Sequence, residues 1–129
     1  MIEGYFRQMG ELIANSGIVH SSTISYDKRS AHVGFIRGTV YFVDGSLLHL
    51  REFVNMQPDA ERYMYVYHYQ RRDGTPVFRY DNSPHFPALS TYPHHRHDRG
   101  LLLAAPADLP DLKAVLVEIQ HLIIGHGIC

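Results

Sequence analysis

Cysteine is almost missing: the chain carries one, Cys129, as its last residue. A lone thiol closes no internal bridge, so a fold stapled by disulfides is excluded. Long apolar runs are missing too, the longest lying at residues 101–105 and 121–124. A bilayer-crossing helix needs about 18 such residues, so no membrane partner is expected. The opening residues lack the basic region and apolar stretch of a secretory signal, and with the single cysteine this leads to an expected cytoplasmic location. Basic charge is not in excess, with 12 Lys and Arg against 13 Asp and Glu and a net charge of −1. That balance argues against a surface coated with cations for gripping nucleic acid. No internal repeat, interdomain linker or low-complexity segment divides the chain.

What is present suffices for one domain. At 129 residues and 45% hydrophobic content the chain can bury a core of ordinary size without a structural metal, and no cofactor is expected. Ile2, Tyr5, Phe6, Met9, Leu12 and Ile13 fall on one face of a helix over residues 2–15, with Gly17 as its expected left-handed cap. Residues 18–26 and 32–43 are rich in β-branched and aromatic side chains, and Asp44-Gly45 is a hairpin signal leading into 47–55. A polar break at Gln57-Pro58-Asp59 precedes residues 62–70, where Tyr63, Tyr65, Tyr67 and Tyr69 alternate with Met64, Val66, His68 and Gln70 in period two. Asp73-Gly74 then turns the chain into a strand over 76–81.

Residues 82–99 hold no period, and Pro84, Pro87 and Pro93 exclude a regular helix or a central strand, so this stretch reads as a loop. A linker over 106–110 leads to a second helical stripe, Leu112, Val115, Leu116, Ile119, Leu122 and Ile123, over 111–124 and ended by Gly125. The whole predicts an α+β fold: an antiparallel meander of about five strands with both terminal helices packed on it.

Charge is distributed unevenly. Between residues 71 and 99 five Arg stand against three Asp, a local surplus of two, with His85, His94, His95 and His97 in the same stretch. Anions would favour it. Two histidines and an arginine are also what metal-independent RNA cleavage needs: a base for the 2′-hydroxyl, an acid for the 5′-oxygen and a cation for the phosphorane. His68 and Arg79 project from strands that pair across Asp73-Gly74, and His85, His94, His95 and His97 follow in the loop. These six are the candidate catalytic residues. Arg51, Tyr67, Tyr69, Tyr80, Asn82 and Arg96 are the candidate substrate-binding residues, the tyrosine stripe as a platform for bases and Asn82 as a phosphate contact or a loop closure.

Each has a plainer alternative. His68 also reads as a core histidine, Arg79 as the surface partner of Asp81 or Asp73, and the tyrosines as a face under a helix. Metal binding by His94, His95 and His97 has a weak signal, since they lack the i, i+4 spacing of a helical zinc motif and no Cys pair or Glu stands near.

The segments Tyr67-His68-Tyr69-Gln70, Asp73-Gly74, Phe78-Arg79-Tyr80-Asp81-Asn82-Ser83-Pro84-His85 and Tyr92-Pro93-His94-His95-Arg96-His97 resemble the signature of TumE-like proteins of bacterial toxin-antitoxin systems. Asp44-Gly45-Ser46-Leu47-Leu48-His49-Leu50-Arg51-Glu52-Phe53 adds to the resemblance, which covers residues 18–98. It implies a small cytoplasmic toxin with a DNA-binding antitoxin as partner, RNA as target and ribonuclease activity as its effect. Phe86 departs from the His-like polar residue of many relatives, so a scheme with adjacent histidines there does not carry over. Two classes compete with an enzyme of this kind: a module that binds nucleic acid or protein without cutting, and a homodimer built through an uncovered strand. A His-based metal-dependent hydrolase is the chemical alternative.

Overall fold

The computed structural model describes residues 1–57, 61–104 and 110–127. The 58–59 part of the polar break, most of the 106–110 linker and Cys129 lie outside the described residues. Nine elements follow in order: α1 (Ile2–Ala14), β1 (Val19–Lys28), β2 (Val33–Phe42), β3 (Leu47–Asn55), β4 (Glu61–Gln70), β5 (Pro76–Asp81), β6 (His95–Asp98), β7 (Leu101–Ala104) and α2 (Leu112–Gly127). The strands make one antiparallel sheet in the order of the chain, β1 to β7. The α+β architecture is as expected, but the sheet has seven strands where the sequence pattern gives about five.

The two additional strands come from the stretch read as loop and its sequel. β6 alternates His95 and His97 on one face with Arg96 and Asp98 on the other, so no apolar period marks it. It joins β7 through Arg99 and Gly100, both at positive φ (50° and 88°), the backbone of a two-residue hairpin turn. Arg-Gly is a poor advertisement for such a turn, because arginine lacks the short polar side chain that lets Asn or Asp enter the left-handed region. The signalled turns are present: Gly45 and Gly74 have φ of 86° and 88°, and the Asp44 and Asp73 carboxylates accept bonds from the amides of Ser46 (3.0 Å) and Thr75 (2.9 Å). Gly17 is not a left-handed cap; α1 closes through the Asn15 amide on the Glu11 carbonyl, and α2 runs past Gly125.

Period two decides which face is dry. Ile36, Val40, Leu48, Leu50, Tyr65, Tyr67, Tyr69, Phe78 and Tyr80 point to the helices and meet Met9 and Ile13 of α1 and Leu112, Val115, Leu116 and Ile119 of α2. Within this core sits a buried carboxylate. Glu52 is fully buried and accepts bonds from the hydroxyls of Tyr67 (2.5 Å) and Tyr5, which ties α1 to the sheet. Burial pushes the Glu52 carboxyl up, against the opposing pull of those two phenols and of Arg62. Tyr67→Phe is expected to cost about 1 to 3 kcal/mol in denaturant unfolding, because one carboxylate oxygen then lacks a donor where water cannot replace it. Unchanged stability in that variant would show that the network does not hold the helix.

Candidate active site

Among the described residues the opposite face of the sheet carries no helix, and the register lays its polar side chains out in rows. Thr39, His49, His68, Arg79 and His97 are successive cross-strand partners from β2 to β6. Arg37, Arg51, Val66, Asp81 and His95 form the next row. Directly opposed residues on one face bring their Cβ atoms to about 5 Å, so each row is a chain of touching neighbours.

The centre of this face is a pocket of about 170 Å3 lined by His49, Arg51, Val66, His68 and Arg79 with the Leu50 backbone strand. The rings of His49 and His68 stack at 6.2 Å with 20° between their planes, and His49 Nδ1 lies 3.0 Å from the Thr39 hydroxyl. His68 Nδ1 is buried and has no hydrogen-bond partner. Burial and the Arg79 charge hold the His68 imidazole below its ordinary value, opposed by a bond with Gln70. Arg79 binds Asp81 through Nε at 2.8 Å, which fixes the guanidinium at the pocket it lines. A second, larger groove beside it shares His49 and Arg51 and adds Arg37, Thr23 and Ser25. Arg37 and Arg51 face each other as cross-strand partners, and neither ion-pairs with a carboxylate among the described residues. Like charges so placed repel, and an anion between them would relieve the repulsion.

Several sequence-based candidates stand elsewhere. Tyr67, Tyr69 and Tyr80 are buried against the helices, with hydroxyls donating to Glu52, Ser46 and Glu118. A base cannot stack there; their placement is that of packing residues. Arg96 lies on the same dry side, bonded to Glu118, Asp98 and the Tyr80 hydroxyl and spread over the Phe78 and Tyr80 rings, so it clamps α2 to the sheet. Asn82 bonds the Tyr65 amide (3.0 Å) and the Tyr63 carbonyl (3.1 Å), extending the β4–β5 ladder with a side chain instead of contacting a phosphate.

The loop histidines separate. His85 is exposed against Phe86, while His94 stacks on Tyr65 and meets its hydroxyl at 2.8 Å. His95 is 1% exposed beside Asp81, and His97 is half-buried opposite Arg79. Of the six candidate catalytic residues, His68, Arg79 and His97 share one row. His49, Thr39 and Arg37 escaped the sequence reading. The Asp44-Gly45 turn fixes the β2–β3 register, and with Leu48 and Leu50 pointing inward His49 and Arg51 must face the other way; that signal was available.

The model of the Toxin TumE family matches residues 9–123, which takes in every strand of the sheet. The chain belongs to the TumE toxin family. No curated protein and no solved structure matches it. As a TumE toxin it is the toxin half of a toxin-antitoxin pair, and its partner in that pair is an antitoxin. No helix among the described residues is long and apolar enough to cross a membrane. The polar rows of this TumE chain all lie on strands inside the matched region.

Proposed function

We propose that this toxin is a metal-independent endoribonuclease acting on cytoplasmic RNA, and that its antitoxin is a DNA-binding protein. The observation that carries the reading is the single pocket in which His49, His68, Arg51 and Arg79 converge. His68 takes the proton of the 2′-hydroxyl, whose oxygen attacks the adjacent phosphorus. His49 gives a proton to the departing 5′-oxygen, so the cut leaves a 2′,3′-cyclic phosphate and a free 5′-hydroxyl. Arg79 stands beside His68, on the side away from His49, to meet the charge that develops on the phosphorane, and Arg37 and Arg51 hold the neighbouring phosphates. The lowered basicity of His68 suits the base, which must be neutral while its partner is protonated.

The test is incubation of purified, metal-stripped protein with a defined RNA, with end-group analysis of the products. Cleavage to cyclic phosphates that survives excess chelator is the expected result. Cleavage abolished by chelator and restored by zinc or manganese would replace this reading with metal-dependent hydrolysis.

The pH dependence follows from the same groups. The kcat/KM of RNA cleavage should trace a bell. Its acid limb should lie below the ordinary imidazole value of 6.5, because the rate rises only as His68 loses its proton and the pKa of His68 is lowered. The alkaline limb marks loss of the proton on the acid. A rate that rises steadily with pH to the alkaline end would exclude an imidazole acid.

A further inference from the structure

Beyond the pocket, the structure holds a second constellation with its own geometry. Asp81, His95 and His97 each present one ligand atom, all within 4.8 Å of one another. The decisive residue is His95. Its Nδ1 donates to the Pro93 carbonyl at 3.0 Å, so in the neutral ring the unprotonated nitrogen is Nε2. That Nε2 is buried in a residue only 1% exposed and stands 2.8 Å from Asp81 Oδ1. At that distance a positive charge must lie between nitrogen and oxygen, either a second proton on the ring or a cation held by both. His97 flanks the same point at a ring-to-ring distance of 5.0 Å and nearly perpendicular, and Phe86 covers both rings edge-on.

We propose that Asp81, His95 and His97 form a binding site for one divalent transition-metal cation, zinc being the best match.

Two imidazoles and one carboxylate are a borderline donor set that zinc accepts, with a fourth position left for water. Ligand atoms about 2.1 Å from zinc at tetrahedral angles are about 3.4 Å apart, so the 2.8 Å spacing of His95 and Asp81 opens by about 0.6 Å while the wider spacings, all within 4.8 Å, close on the ion. The surroundings supply the orienting bonds such ligands require: the Pro93 carbonyl on His95, and Arg79 and Ser83 on Asp81. Arg79 uses Oδ2, and the cation takes Oδ1 beside the Ser83 donors. The carboxylate that the sequence pattern of His94, His95 and His97 did not supply is Asp81, brought alongside His95 by the pairing of β5 with β6. His94 plays no part, since it faces Tyr65. The cation cross-links β5 and β6, beneath the Phe86 ring that packs on both histidines. This role is separate from cleavage at His68.

The test is zinc titration of untagged, metal-stripped protein against a chromophoric chelator, with cobalt(II) as a spectroscopic probe and melting curves with and without zinc. Wild-type protein should bind one zinc per chain, show the visible bands of tetrahedral cobalt, and melt higher with zinc. His97→Ala, whose half-exposed ring is removed at little cost to the fold, should bind at least about a hundredfold more weakly and lose both the bands and the zinc-dependent rise. Asp81→Asn should weaken binding similarly, while His85→Ala and His68→Ala should bind as wild type. No zinc binding by the wild type, or equal binding by His97→Ala, would overturn the proposal. Either result leaves chelator-resistant RNA cleavage to be judged on its own assay.

Discussion

Replacing His68 with alanine is expected to lower the turnover of RNA by about two to four orders of magnitude, the usual loss when a general base is removed. The side chain stands on the uncovered face, half-buried between His49 and Arg79, so its truncation should leave the unfolding midpoint nearly unchanged. Arg79→Ala should lower turnover by about two to three orders with a much smaller change in KM, because in the proposed mechanism its contact strengthens as the phosphorane forms. That variant also frees one oxygen of buried Asp81, so its unfolding midpoint must be measured beside its rate. Rates equal to wild type in both variants would remove the central row from catalysis. A fall in RNA affinity with unchanged single-turnover rate would turn the face into a binding surface.

The largest expected effect on stability comes from one methyl group. A Cβ on Gly38 would stand 2.1 Å from the Thr23 carbonyl oxygen and 2.7 Å from the Ile24 Cα, both backbone atoms of β1. No rotamer change relieves such contacts. Gly38→Ala must therefore push β1 off β2, at a cost of about 3 kcal/mol or more, the upper range for overpacking. Gly17→Ala is the matched control, since a Cβ there meets nothing within 4 Å. Denaturant unfolding of the two variants measures the difference, and a Gly38→Ala protein as stable as the control would mean that β1 does not approach β2 so closely. Arg37 and Thr39 flank Gly38 in the larger groove, so the same displacement should weaken RNA binding as well.

The elements that the sequence disclosed are those where side-chain period and turn chemistry agree. Tyr63 to Gln70 alternate without a break, and both Asp-Gly turns carry the bond that makes them work. β6 was hidden because its inward side carries charged side chains: Arg96 pairs with Asp98 and with Glu118 of α2, which no hydrophobic pattern reports. β7 is a short apolar run with every residue exposed, so its strand identity depends on a partner that was itself hidden. For the site, local composition drew attention to the histidines of residues 85–97, whereas the pocket draws on β3, β4 and β5, and only register could join them. In the sequence Asp81 reads as a surface partner of Arg79 and does accept its bond at 2.8 Å, yet the carboxylate is buried and also meets His95.

The sheet order has a consequence for how the molecule comes into being. Each strand pairs only with the strands next to it in the chain, so no pairing must wait for a distant segment and ordering can follow synthesis from the N-terminus. The ladder from β1 to β5 can be laid down while the rest is still being made, and His49, His68 and Arg79 are then already aligned. β6 follows only after the long connection that begins at Asn82, and α2 closes the dry face last of all. Strand pairing can thus align the polar row of the uncovered face before the dry face is sealed.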